Sequence, residues 1–83
     1  MILEINVHGM TVSEASHEID RSLKQAKSNI TVIRIIHGYS HDQAIRNMVR
    51  KRYRSHPRID HVELSMNLGM TDLILRRDLH VRK

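Results

Sequence analysis

The chain contains no cysteine, no tryptophan and no phenylalanine, and only two tyrosines among its 83 residues. Without cysteine there is no disulfide framework and no thiolate metal site, and a chain with no thiols fits a reducing interior. Two tyrosines are too few for a protein that stacks successive bases on aromatic platforms. No apolar run approaches the roughly 20 residues needed to span a bilayer. The first residues, MILEINV, carry no basic region ahead of their apolar positions, and no cleavage-site pattern follows them. There is no internal repeat, low-complexity tract or linker. The expectation is a soluble, cytoplasmic, monomeric protein without membrane contact. Residues 1–83 form one domain, near the lower size at which a single core holds a fold unaided.

Acidic residues are also few. Nine Asp and Glu stand against fourteen Lys and Arg, a net charge of +5, and seven histidines can add to it. Summed positive charge steers phosphates toward a surface, so a polyanionic partner is expected; the alternative is that the excess only keeps a small protein soluble. Much of it falls in RNMVRKRYRSHPR, which sets Arg46, Arg50 and Arg54 at helical i, i+4, i+8 spacing, flanked by Lys51, Arg52 and Arg58. A solvated helix face is the commoner meaning of such a run. Nearly uncompensated charge favours a phosphate-tracking surface, with steeply salt-dependent binding.

What is present has clear periodicity. ILEINV alternates Leu3, Ile5 and Val7 with Glu4 and Asn6, as a strand with one polar face does. TVSEASHEIDRSLKQAK opens with Thr11 and has Glu14 three places on, a capping-box signature. Val12, Ala15, Ile19, Leu23 and Ala26 then recur at helical spacing, with Lys24 and Lys27 in the last turn, where the helix dipole favours cations. ITVIRIIH is a β-branched run expected inside the sheet. Ser40 and Gln43 repeat the capping-box spacing before a second helix with Ala44, Ile45, Met48, Val49 and Tyr53 as its apolar stripe. Pro57 ends it by biasing His56 away from helical geometry. RIDHVELSM alternates through Val62, Leu64 and Met66 as a third strand, with Met48 and Met66 expected in the core. A turn at Asn67-Leu68-Gly69 leads to a fourth strand, MTDLILR, and the tail from 77 to 83 either extends it or frays.

The order β-α-β-α-β-β predicts an α/β fold, a two-layer α+β sandwich: a four-stranded mixed sheet with both helices on one face, since βαβ units are right-handed. Both strands that lead into helices end in His-Gly, at Val7-His8-Gly9 and Ile36-His37-Gly38. Ligands of open α/β sheets bind at the carboxyl ends of strands, where helix N-termini offer N–H groups and partial positive charge to a phosphate. Glycine permits close backbone approach or positive φ, and histidine exchanges protons near neutral pH. A single His-Gly after a strand is usually a turn; two at equivalent places point to a site. Asp42 opposes phosphate binding, because its charge already satisfies the dipole of the second helix.

These residues resemble a known family. INVHGMTVSEA is similar to the leucine-aspartate-leucine-histidine-glycine motif of the small MutS-related (Smr) domain and the glutamate-alanine pair that follows it, through Ile5, Val7, His8, Gly9, Glu14 and Ala15. HGYS stands where the family has histidine-glycine-x-glycine. Ile45, Arg46 and Val49 match a leucine-arginine-x-x-valine motif, and Gly69 with Thr71 a glycine-x-threonine motif. The resemblance runs through nearly the whole chain and implies a stand-alone Smr domain without the ATPase part of larger relatives. It implies a fold similar to the C-terminal domain of bacterial translation initiation factor three. It also implies nucleic-acid work, since relatives nick DNA, cleave RNA or act on messenger RNA at stalled or collided ribosomes. By position, His8 and His37 would be catalytic, with Gly38 in the substrate loop.

Two residues depart from the family pattern. Its aspartate falls on Asn6, which cannot act as a carboxylate base or stabilise an imidazolium by charge, but can orient His8 through a hydrogen bond. Its second loop glycine falls on Ser40, whose Cβ narrows the allowed backbone. If RNA is the substrate, two histidines could share a transesterification, one taking the 2′-hydroxyl proton and the other protonating the 5′-oxygen. No metal or cofactor is then required. DNA would need activated water and a metal, for which Asn6 is a poor ligand. A metal site from His8, His37 and His41 is not expected, because 37 and 41 straddle a strand end and a helix start. The expectation is therefore a nucleic-acid-acting domain, a metal-independent RNA endonuclease or a DNA-nicking one, with His8, His37 and Asn6 as catalytic residues. Gly9, Gly38, Ser40, Arg46, Arg50, Lys51 and Arg54 hold the nucleic acid. A non-catalytic nucleic-acid or ribosome binding module is the second reading, and a basic helix docking an acidic protein the third.

Overall fold

The expected element order is present in a computed structural model, which describes residues 1–38 and 43–76. The elements are β1 (Ile2–Asn6), α1 (Val12–Gln25), β2 (Val32–Ile36), α2 (Ala44–Arg52), β3 (Ile59–Leu64) and β4 (Met70–Leu75). The four strands make one sheet in the order β1-β2-β4-β3. β1 and β2 are parallel, and β4 runs antiparallel to both β2 and β3. The connections β1-α1-β2 and β2-α2-β3 cross the sheet in the same direction, so right-handed crossovers put both helices on one face, where they touch each other. The second crossover leaves a gap beside β2. β4 fills it, so the last strand of the hairpin lies inside the sheet.

Strand alternation decides what that face buries. The register lines up Leu3, Ile33, Leu73 and Val62 in one row and Ile5, Ile35 and Thr71 in the next. Against them pack Ala15, Ile19 and Leu23 of α1 and Val49 of α2, all buried. Spacings of three and four residues place those α1 side chains on one stripe. A bulge between Ile59 and His61 changes the parity of β3, so that Ile59 is buried while Val62 still packs on the core. The opposite face is marked by a bidentate pair, Arg34 to Asp72 at 2.9 and 3.1 Å. Glu4 stands 3.9 Å from the same guanidinium.

The capping box of α1 forms as expected: Glu14 N–H donates to Thr11 Oγ1 at 3.0 Å, and Thr11 N–H donates to Glu14 Oε1 at 2.9 Å. Tyr53 is buried at the end of α2, and its hydroxyl donates to Asp20 Oδ1 at 2.7 Å and lies 3.2 Å from Ser16 O. This fastens the end of α2 to the middle of α1. Burial, with Asp20 beside it, pushes the phenol well above its ordinary range.

Several expectations are corrected. α1 ends at Gln25 with Ala26 as its C-cap, so Lys24 lies in the last turn but Lys27 beyond it. Val12 is 39% exposed rather than core. α2 begins at Ala44 with Gln43, not Ser40, in the N-cap position. Met66 is fully exposed, because β3 ends at Leu64 before reaching it. Arg54 follows the C-cap Tyr53, so helical facing relates only Arg46 and Arg50. Ser40, His41, Asp42 and the tail from 77 to 83 lie outside the described residues. Among the described residues no helix is long and apolar enough to cross a membrane.

Candidate functional site

Because β1 and β2 are parallel, both His-Gly turns emerge at the same sheet edge. The pairing continues one residue past β1, where Val7 N–H donates to Ile36 O at 2.9 Å. The chain then turns through Gly9 at φ +87°, a conformation that suits glycine. Asn6 sets this turn: its Oδ1 accepts from the backbone N–H of His8 at 2.9 Å. The expected hydrogen bond from Asn6 to His8 is therefore made to the backbone rather than to the imidazole. Aspartate or asparagine could each make it, since only the acceptor oxygen is used.

The second turn is held from β4. The N–H groups of His37 and Gly38 both donate to Gly69 O at 3.0 Å. Gly38 has φ +77°, and a Cβ there would collide with the His8 ring and come within 3.0 Å of its Nε2. The absence of a side chain at 38 thus lets the imidazole of one turn lie on the backbone of the other. His8 is exposed, and among the described residues nothing hydrogen-bonds its ring nitrogens.

The two histidines are not equivalent. His37 continues the inward alternation of Ile33 and Ile35 and is 5% exposed. Its Nε2 lies 2.9 Å from Thr71 Oγ1, and its Nδ1 lies 2.8 Å from Gly38 O. Arg50 Nε donates to Thr71 Oγ1 at 3.3 Å. The consistent assignment is a neutral ring, with Nδ1–H donating to the Gly38 carbonyl and Nε2 accepting from the threonine hydroxyl. Burial lowers the His37 pKa, and the positive charges of Arg50 and Arg46 add to the effect, against the opposing pull of the Gly38 and Met70 backbone. Thr71 and Gly69 are site-building residues whose part the chain order hides. The glycine-x-threonine motif was the only sign of them.

Between the turns and the two helix N-termini opens a cleft of about 380 Å³, lined by His8, Gly9, His37, Gly38, Gln43 and Arg46 among others. Its two helix ends differ in charge. The capping box already places the Glu14 carboxylate at the start of α1. α2 has no acidic residue in its first turn and takes no cap from the Gln43 side chain, and Arg46 stands in that turn. Arg46 supplies positive charge to an anion at the α2 end of the cleft.

The basic run divides. Arg52 pairs with Asp20 at 2.9 Å. Arg58 donates to the carbonyl oxygens of Leu23 and Ala26, tying down the end of α1. Both are structural. Among the described residues no carboxylate pairs with Arg46, Arg50, Lys51 or Arg54, and the last three line a shallow groove of about 600 Å³ with Asn47 and Ser55. Of the remaining histidines, His56 is half-buried and its Nδ1 accepts from Arg58 N–H at 3.1 Å. His61 is exposed between Asp60 at 2.7 Å and Glu63 at 3.0 Å. Among the described residues no three His, Asp or Glu side chains converge as a metal-holding group.

No curated protein matches the chain. Among solved structures, the crystal structure of the Smr domain of Thermus thermophilus MutS2 is similar, with 28% identity and a TM-score of 0.81 over 89% of this chain and 98% of that one. Residues 5–67 match the Smr domain family. That span begins one residue before Asn6 and takes in both His-Gly turns, the cleft lining and all of α2, while Gly69 and Thr71 lie just beyond it. The chain belongs to the Smr domain family.

Proposed function

We propose that the cleft receives a phosphate of an RNA backbone and that His8 is the proton-transfer group of a metal-independent endonuclease. The observation that carries this is the placement of the His8 ring: open to the cleft, seated on Gly38, with Arg46 of α2 in the same lining. The family is associated with nucleic acid and nuclease-related activity, and Arg46, Arg50 and Lys51 of α2, which pair with no carboxylate among the described residues, suit a polyanion. His8 would take the proton of the 2′-hydroxyl, whose oxygen attacks phosphorus. The bond to the 5′-oxygen then breaks, leaving a 2′,3′-cyclic phosphate and a 5′-hydroxyl that takes its proton from solvent. Arg46 would bear against the negative charge that builds on the phosphate. General acid–base help of this kind is worth roughly 10²–10⁴-fold.

This departs from the expectation of two reacting histidines. Buried, neutral and bonded at both nitrogens, His37 is assigned to positioning, because its Nδ1–H holds the Gly38 carbonyl on which the His8 seat depends. Asn6 likewise positions His8 through the backbone. A second reading is favoured by the same fact. Among the described residues His8 is the one open imidazole at the cleft and no acid stands beside it, an arrangement that holds phosphate without cleaving it.

The test is to incubate labelled single-stranded RNA, hairpin RNA and supercoiled plasmid with the protein in EDTA and in Mg²⁺, beside His8→Ala. RNA cleavage in EDTA that His8→Ala abolishes, with affinity largely kept, supports the endonuclease. Salt-sensitive binding with no cleavage of any substrate supports the binding module. Cleavage undiminished in His8→Ala would sink the assignment of His8.

A further inference from the structure

The turn between β3 and β4 has a composition that its position does not explain. Leu64 is 64% exposed, Leu68 58%, and Met66 fully. Single exposed apolar residues are ordinary; three within five positions form a patch. The turn is not loosely held. Asn67 N–H donates to Ser65 Oγ at 3.0 Å, Gly69 N–H to Asn67 Oδ1 at 2.8 Å, and Met70 N–H to Asn67 O at 3.1 Å. Its last residue, Gly69, receives the N–H groups of His37 and Gly38. The apolar tip is therefore braced against the backbone that seats His8, at the sheet edge where the cleft opens.

We propose that Met66 and Leu68 contact an unstacked base of single-stranded RNA whose phosphate lies in the cleft; this rests on the reading of the cleft as an RNA-backbone site. Three observations favour that occupant over a protein. The groove along α2 carries Arg50, Lys51 and Arg54, which have no carboxylate partner among the described residues, and this suits a polyanion. Tyr53, the one tyrosine among the described residues, is buried, so among those residues apolar contact with a base face falls to aliphatic side chains. Leucine and methionine do serve as apolar wedges against base steps in other nucleic-acid binders. A braced turn also loses little freedom on binding, which strengthens a small contact. Paired bases hide their faces in the stack, so the contact selects unpaired nucleotides.

The experiment compares two ligands of equal charge: a short single-stranded RNA, and an oligomer of the same length whose central nucleotides are abasic. The wild-type protein is set beside Met66→Ser combined with Leu68→Ser. Both side chains are solvent-exposed, so the double variant is expected to melt with the wild type, which a thermal scan checks. The wild type is expected to prefer the RNA over the abasic oligomer by roughly ten-fold, the scale of burying one apolar side chain. The variant is expected to lose that preference while binding the abasic oligomer as before. Unchanged preference in the variant overturns the inference and leaves the cleft reading standing. Wild-type protein that binds neither ligand overturns the cleft reading, and the inference with it. A wild-type dimer that the variant turns into a monomer makes the turn a self-contact and also overturns the inference.

Discussion

The imidazole of His8 occupies the space that a side chain at position 38 would need, so the two His-Gly turns interlock through the one atom that glycine lacks. β1 and β2 are parallel neighbours whose turns leave the same edge. One turn supplies the ring and the other supplies the bare backbone beneath it.

Gly38→Ala should therefore do two things at once. The φ of +77° would strain alanine by about 1–2 kcal/mol, and the new methyl would displace the His8 ring. The expected result is a lower melting temperature and loss of any His8-dependent activity, whereas Gly9→Ala should be strained but meet no neighbour. Equal loss of activity in both variants would show that the seat beneath His8 is unimportant.

Asn6 allows a cleaner separation of charge from geometry. Asn6→Asp keeps the oxygen that accepts from His8 N–H and should leave stability and activity close to wild type, while Asn6→Ala removes it and should destabilise by about 1 kcal/mol. If Asn6→Asp raised the cleavage rate many-fold with unchanged stability, the carboxylate would have a chemical role that asparagine lacks.

His37 should make the protein acid-sensitive. Its folded pKa lies below the ordinary value of 6.5, so between those two values the unfolded chain binds the extra proton. Stability is full above that window and falls as pH drops through it. His61, raised by Glu63 and Asp60, works in the opposite sense but is fully exposed and weak. Melting temperatures of wild type and His37→Gln at pH 8 and pH 5 cancel the His61 contribution. The wild type should lose more on acidification, and parallel curves would refute the assignment.

The basic residues of α2 should separate by salt dependence. Lys51→Ala or Arg46→Ala should reduce the slope of log affinity against log salt by ~0.7 for each single-strand phosphate that the variant no longer neutralises. Arg52→Ala should weaken the protein instead, because its guanidinium is committed to Asp20. An Arg52→Ala slope shallower than that of Lys51→Ala would reverse this division.

Much of the architecture was legible because periodicity is a local property. Thr11 and Glu14 announced the start of α1, and Ala15, Ile19 and Leu23 its buried stripe. Ile33 and Ile35 marked an interior strand. Local pattern failed where a boundary depends on distant partners. Ser40 and Gln43 have capping-box spacing, yet α2 starts after Gln43. Met66 continues an alternation that β3 abandons two residues earlier, since the strand pairs only as far as Leu64 opposite Thr71.

The sequence by itself determined the element order, the two His-Gly turns at parallel strand ends and the surplus of positive charge, because each is written in neighbouring residues. The tertiary structure alone decided how the two histidines of the cleft lining differ, His8 exposed and His37 buried. That difference turns on β4 entering the sheet between β2 and β3, which brings Thr71 and Gly69 onto His37 and Gly38 across more than thirty residues of chain. Burial and two hydrogen bonds then fix His37 as a neutral support, and the gap left by a missing Cβ at 38 gives His8 its place.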